Sequence, residues 1–344
     1  MVETDTPFCD PEGFRRVLQN LPAPDESTRI LASERNALLT KPSGSLGRLE
    51  ELAIWYASWR GDSKPEILNP QVIVFAGNHG VAAQGVSAYP PEVTAEMIAN
   101  FNSGGAAINQ LARQLGTEPD VHAIDIDRPT GDISCGAAMT ETEFTQALLA
   151  GWRAVRPAAD LVVPGEMGIG NTTSAAALAL ALYGGSATDW TGAGTGVDGS
   201  ALERKVCAVA SAVEHNGPFA PGEGLDALRR LGGRELAAIA GAIVCARIHR
   251  IPVVLDGFIC TAAASALHSE VKDSLAHAIA GHCSAEAGHG RILEKIGKRS
   301  VLDLEMRLGE GSGAAVAALV LKAALACHSG MSTFEEAQVS GAVG

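Results

Sequence analysis

Two kinds of segment alternate along the chain. Short, unbroken apolar runs are followed by longer stretches with helical spacing. The first run, Gln71–Phe75, ends in Ala76-Gly77-Asn78-His79-Gly80. Others lie at Val121–Ile126, Leu161–Val163, Pro252–Leu255 and His277–Gly281, with a weaker one at Asp189–Thr191. Consecutive apolar positions predict strands buried on both faces, as in a parallel sheet. Helical stretches separate the runs: Pro91–Leu115, Glu141–Ala154, Thr172–Tyr183, Ser200–Glu214, Gly224–Leu231, Arg234–His249, Thr261–Glu270 and Ala285–Ile296. This alternation predicts an α/β fold: an open, mainly parallel, Rossmann-like sheet with helices on both faces. Asp25–Leu39, Leu49–Trp59 and the alanine-rich Ala314–Ala326 read as helices outside that alternation. A small helical domain is therefore expected from residues 1–65 with 305–344, beside a large α/β substrate-binding domain, 66–304.

Composition narrows the picture. Hydrophobic residues are 47% of the chain but aromatic residues only 4%, so the core must be built from Ala, Val, Leu and Ile. A net charge of −13 argues against non-specific binding to a nucleic-acid backbone. A small anion remains a possible ligand, because local amides and one or two cations outweigh global charge. Seven cysteines without a CxxC pair read as reduced thiols. The acidic Met1–Pro7 lacks the plan of a signal peptide, and the apolar run Ala314–Ala326 is too short to span a bilayer. A soluble, cytoplasmic protein with no membrane segment is expected.

Four loops after predicted strands carry the candidate chemistry: Gly77–Gly80, Gly165–Thr173, Thr191–Gly196 and Asp256–Phe258. In an α/β sheet such loops converge on one crevice. Gly168 and Gly170 let backbone approach a ligand, and Asn171 or Thr172 would start a helix whose free amides favour a phosphate. Neither the full dinucleotide fingerprint nor a GxxxxGK[ST] loop occurs. Lys205 is either a solvated helix residue or a phosphate partner. His282-Cys283 with His289 is the densest histidine group, yet it lacks zinc-site spacing, and no metal is expected. His79 reads as a hydrogen-bonded loop residue. Glu310 lies in Arg307-Leu308-Gly309-Glu310-Gly311-Ser312-Gly313, where glycines flank one carboxylate at a helix start. It is either an ordinary helix-start residue or a carboxylate held in a dry site with its pKa raised, fit to act as a base.

Together these segments resemble one family, the nicotinate-nucleotide–dimethylbenzimidazole phosphoribosyltransferases of cobalamin lower-ligand assembly. The matching segments are Lys41-Pro42-x-Gly44-Ser45-Leu46-Gly47-Arg48-Leu49-Glu50, Gly77-Asn78-His79-Gly80-Val81, Gly85-Val86-Ser87 with Glu92-Val93-Thr94, and Gly165–Thr173. Asp256-Gly257-Phe258, His282-x-Ser284-Ala285-Glu286 and Arg307–Ala314 complete the set. Each motif alone is modest, but their order over about residues 20–326 is specific.

The resemblance implies transfer of the 5-phosphoribosyl group of nicotinate mononucleotide to 5,6-dimethylbenzimidazole, giving α-ribazole 5′-phosphate and nicotinate. It implies inversion at the anomeric carbon, no cofactor and a homodimer. By motif position, Glu310 is the catalytic glutamate and Glu166 a second active-site carboxylate. Tyr89, Met97 and Leu308 fall at base-pocket positions. Gly168, Asn171, Thr172, Gly192, Gly194, Lys205 and Ser284 fall at the phosphate and ribose end. Two rivals stay open: a relative that accepts another base, such as adenine or a phenol, and a non-catalytic relative that binds the azole or the mononucleotide.

Overall fold

In the computed structural model, which describes residues 7–194 and 196–340, three helices precede the first strand: α1 (Pro11–Gln19), α2 (Glu26–Leu38) and α3 (Arg48–Arg60). Then come β1 (Pro70–Ala76), α4 (Val93–Ser103), α5 (Ala107–Leu115), β2 (Pro119–Ala123), α6 (Glu141–Ala154) and β3 (Leu161–Met167). The middle of the chain is helical: α7 (Asn171–Tyr183), α8 (Ala187–Trp190), α9 (Gly199–Asn216), α10 (Gly224–Leu231) and α11 (Arg234–Ile248). The remainder is β4 (Val253–Leu255), α12 (Phe258–Glu270), β5 (Ala278–His282), α13 (His289–Lys295), β6 (Ser300–Leu302) and α14 (Ser312–Gly330).

The six strands form one sheet in the order β2-β1-β3-β4-β5-β6, every pair parallel. The apolar runs explain why, since alternate residues of one strand enter opposite cores. Val72, Val74, Leu161, Val163 and Val254 pack with residues of α3, α5 and α14. Ile73, Phe75, Val162, Val253 and Leu255 pack with residues of α6, α7, α11 and α12. Small side chains permit close layers: a Cβ at Gly151 of α6 would meet backbone of Ala238 in α11. The expected fold class is thus observed.

Several element boundaries differ. The expected single helix Pro91–Leu115 is two, because Gly104 takes a left-handed φ of +80° and stops α4. Asp189–Thr191 is no strand: Ser186 N donates to Asp189 Oδ2 at 2.8 Å and starts the helical turn α8. Strand β6 has no counterpart among the predicted runs. Helix α13 begins at His289 rather than Ala285, and α14 is longer than expected, at 19 residues. By length and apolarity alone α14 could cross a membrane, but here it lies along the sheet against α3, α5 and β5.

Candidate active site

The first crossover runs from β1 to β2 on one side, and β3 then returns to the other side of β1. Parallel sheets open a crevice at the carboxyl ends of strands where the order reverses in this way. A cleft of about 290 Å³ lies there, lined by Glu166, Gly168, Asn171, Thr172, Gly194 and Ser284, with Tyr89 and Leu308 among its apolar side chains.

Glu166 stands near the end of β3, where strand pairing buries it. Its carboxylate accepts a hydrogen bond from Asn171 Nδ2 at the first turn of α7. Burial lifts its pKa to about 8, reinforced by the negative charges of Asp256 and Glu235 and opposed by the Asn171 bond.

Glu310 has a φ of +63° between Gly309 at +85° and Gly311 at +88°. A left-handed non-glycine residue costs about 1–2 kcal/mol, so tertiary contacts must hold it. They are visible. Glu310 N donates to Glu166 O at 3.3 Å, and a side chain at Gly165 would collide with the Glu310 backbone. A Cβ at Gly309 would run into Glu166 Oε1. The glycines therefore let the loop lie directly on β3. The Glu310 side chain turns toward α5, where Oε2 accepts from Ile108 N at 3.4 Å. Burial raises its pKa, the Ile108 amide opposes that shift, and the Asp256 charge adds to it. Leu308 and Gly309, not Glu310, form this part of the cleft lining.

Asp256, just beyond β4, secures the same loop. Its Oδ2 accepts from Gly311 N at 3.2 Å and its Oδ1 from Ala314 N at 2.9 Å, satisfying free amides at the start of α14. His282 Nε2 is 3.6 Å from Asp256 Oδ1. Burial raises the Asp256 pKa, against the influence of His282 and the amides.

A buried cation stands behind Thr172 of the cleft lining. Lys205, on α9, is buried, and its Nζ donates to Thr172 Oγ1 and to Gly192 O, both at 2.9 Å. Burial lowers its pKa to about 8, while the nearby Glu286 favours the charged form. Arg307 Nη1 donates to Gly194 O at 3.1 Å, tying the Gly192–Gly194 segment to the Glu310 loop. Ser284 follows β5; its amide donates to His289 Nδ1 at 2.7 Å, and its hydroxyl accepts from Glu286 N at 3.3 Å.

The structure brings most of the candidates together. Glu166, Gly168, Asn171, Thr172, Gly194, Ser284, Tyr89 and Leu308 all line one cleft. Lys205 and Gly192 meet immediately behind it through their hydrogen bond. Met97 is the exception: it is half-buried on α4 and packs against the core on one sheet face, outside the cleft lining. Thr195, in the third glycine-rich loop, lies outside the described residues. His79 is bonded within the fold, to Ser174 Oγ at 2.9 Å and Glu235 Oε1 at 2.5 Å. Asp256, His282, Glu286 and Arg307 stood in the sequence motifs without roles; their side chains take part in or border the site only because β4, β5 and the Glu310 loop converge.

An α/β cleft lined by one buried carboxylate, with a second carboxylate and a buried lysine packed behind its lining, suits transfer of a phosphorylated sugar. Comparison with known proteins agrees: the chain belongs to the phosphoribosyltransferase family, whose model matches residues 21–339. Among similar proteins is the nicotinate-nucleotide–dimethylbenzimidazole phosphoribosyltransferase of Ruegeria pomeroyi, 61% identical over 327 residues, 95% of this chain and 96% of that protein. The protein of the same name from Cereibacter sphaeroides is 57% identical over 334 residues, 97% of this chain and 98% of that one. A crystal structure of the enzyme so named from Thermus thermophilus superposes with a TM-score of 0.86 at 40% identity, covering 92% of this chain and all of that one.

Proposed function

We propose that this chain transfers the 5-phosphoribosyl group of nicotinate mononucleotide to 5,6-dimethylbenzimidazole, in assembly of the cobalamin lower-ligand nucleotide. The observation that carries the reading is the pair Glu166 and Glu310, joined through backbone in one buried wall and both with raised pKa.

One azole nitrogen attacks the anomeric carbon while the bond to nicotinate breaks, and the electron pair of that bond leaves on the pyridine nitrogen. The attacking azole then carries a proton on its other nitrogen, which a carboxylate removes. A carboxylate kept from water is a stronger base than an exposed one and is matched to that proton. Glu310 is the proposed acceptor. Glu166 borders the cleft directly and is assigned to the ribose and to stabilising positive charge at the anomeric carbon. Lys205, Thr172, Gly168, Ser284 and the Gly192–Gly194 segment form the phosphate end. Tyr89 and Leu308 supply the apolar mouth for a methylated base, with Met97 acting through the packing of α4.

A cytoplasmic homodimer is part of the same reading, as is a helical domain (residues 1–65 with 305–344) beside an α/β domain (66–304). Packing of α2 on α3 and of α3 on α14 supports the helical grouping.

Protein mixed with nicotinate mononucleotide and dimethylbenzimidazole should release nicotinate and form α-ribazole 5′-phosphate in equal amounts. Tight binding of both compounds without release would replace the enzyme reading with a binding protein. Comparable kcat/KM with adenine would remove the preference for a methylated benzimidazole.

A further inference from the structure

Two buried histidines, one ending β5 and one starting α13, lie side by side, and they are treated very differently by their surroundings. The rings of His282 and His289 are 6.0 Å apart, edge to face. His289 is fully engaged: Nδ1 accepts from Ser284 N at 2.7 Å and Nε2 lies 3.0 Å from Thr261 Oγ1. Because Nδ1 accepts, the proton of the neutral ring sits on Nε2 and is donated to the threonine. His282 is buried as well, 1% exposed, yet neither ring nitrogen has a hydrogen-bond partner among the described residues. Leaving a buried polar group unsatisfied costs about 1–3 kcal/mol, and such groups in native proteins call for an explanation.

Location supplies one. His282 lines the cleft together with Glu166 and Ser284. Its room is provided by two glycines. A Cβ at Gly313 would strike the ring face at Cδ2, and one at Gly257 would come within 3.4 Å of Nε2. The ring is therefore packed against the first turns of α14 and α12. Nε2 also lies 3.6 Å from Asp256 Oδ1, just beyond hydrogen-bond range.

We propose that His282 is a substrate-contacting residue, a ring nitrogen hydrogen-bonding an oxygen of the bound phosphoribosyl group. The inference rests on the phosphoribosyl-transfer reading. A buried ring whose nitrogens have no partner within the fold has hydrogen-bonding capacity to offer an incoming ligand. Asp256 borders this ring and also holds the Glu310 loop.

The test separates this idea from the underlying function. Wild-type protein is first assayed for nicotinate release; failure at that step overturns the general reading and not the histidine assignment alone. In the active protein, histidine-selective ¹⁵N NMR is recorded with and without saturating nicotinate mononucleotide. A shift of the His282 ring nitrogens, assigned by its loss in His282→Gln, is expected on adding the nucleotide and not on adding dimethylbenzimidazole alone. His282→Phe should raise the Kd for nicotinate mononucleotide about tenfold, in line with one lost hydrogen bond, and leave dimethylbenzimidazole binding within about twofold. His282→Asn, which returns a polar group, should recover part of that loss. Unmoved ring nitrogens in an active enzyme would overturn the proposal. So would equal weakening of both ligands, which would mark His282 as a packing residue.

Discussion

Two parts of the site solve opposite electrostatic problems by the same means. In one, Glu166 is buried among other carboxylates, and its pKa climbs to about 8. In the other, Lys205 is buried under Thr172 and Gly192 O, and its pKa falls to about 8. Burial disfavours charge on either group, so a base and a cation of ordinary strength are both brought near neutrality. The supports differ. The carboxylate part is held by backbone contact between β3 and the Glu310 loop, which requires glycines. The cationic part is held by side-chain hydrogen bonds reaching from α9 to α7.

The most severe way to break this division is to remove the proposed base. Glu310→Gln should preserve the fold and the affinity for nicotinate mononucleotide and lower kcat by about 10²–10⁴. Near-normal turnover would move proton removal to Glu166. Lys205→Met keeps the length of the side chain and loses its charge. Its expected effect is a rise of about 10–100-fold in the KM for nicotinate mononucleotide with a smaller change in kcat, since a bond to a charged group is worth about 1.5–3 kcal/mol. An unchanged KM would detach Lys205 from the phosphate.

Gly309→Ala tests the backbone support. The new Cβ meets Glu166 Oε1, and φ is +85°. A loss of stability of about 1–2 kcal/mol is expected from the backbone conformation alone, together with a fall in kcat. A variant as stable and active as wild type, by denaturant melts and the release assay, would show that the loop is not held against β3.

The pH profile sharpens the comparison without changing the fold. Glu166 serves only when ionised, so kcat/KM should rise as pH climbs through about 8. Lys205 serves only when charged, so phosphate binding should weaken as pH climbs through about 8. The product is a bell with its maximum near that value. Glu166→Gln should remove a rising limb in that range and Lys205→Met a falling one; limbs that persist belong to other groups. The smallest effect is at the mouth. Leu308 and Tyr89 are each more than half exposed, at 57% and 54%. Leu308→Ala or Tyr89→Ala should raise the KM for dimethylbenzimidazole only a few-fold and leave the nucleotide KM unchanged, because a partly exposed side chain gives up little apolar area.

The layered fold was legible because it follows from local pattern. Unbroken apolar runs such as Gln71–Phe75 must be buried on both faces, and that condition selects a parallel sheet covered by helices. The short β6 was not legible, since Ser300–Leu302 is three half-buried residues with no apolar run behind them. The break in Pro91–Leu115 lay in plain view at Gly104-Gly105, but its meaning depended on a left-handed turn.

For the site, sequence order alone determined the motifs and the family they belong to, because residue identity and spacing are properties of the chain. It marked Glu310 as a carboxylate among glycines. Only tertiary structure decided what those glycines are for: they bring the Glu310 loop onto β3, where Glu166 waits more than a hundred residues earlier in the chain. It also turned Glu310 toward Ile108, put Met97 outside the cleft and left the buried His282 ring unbonded, among the described residues, beside a satisfied His289. These are distances and directions across strands, and spacing along a chain carries no such information until the sheet is assembled.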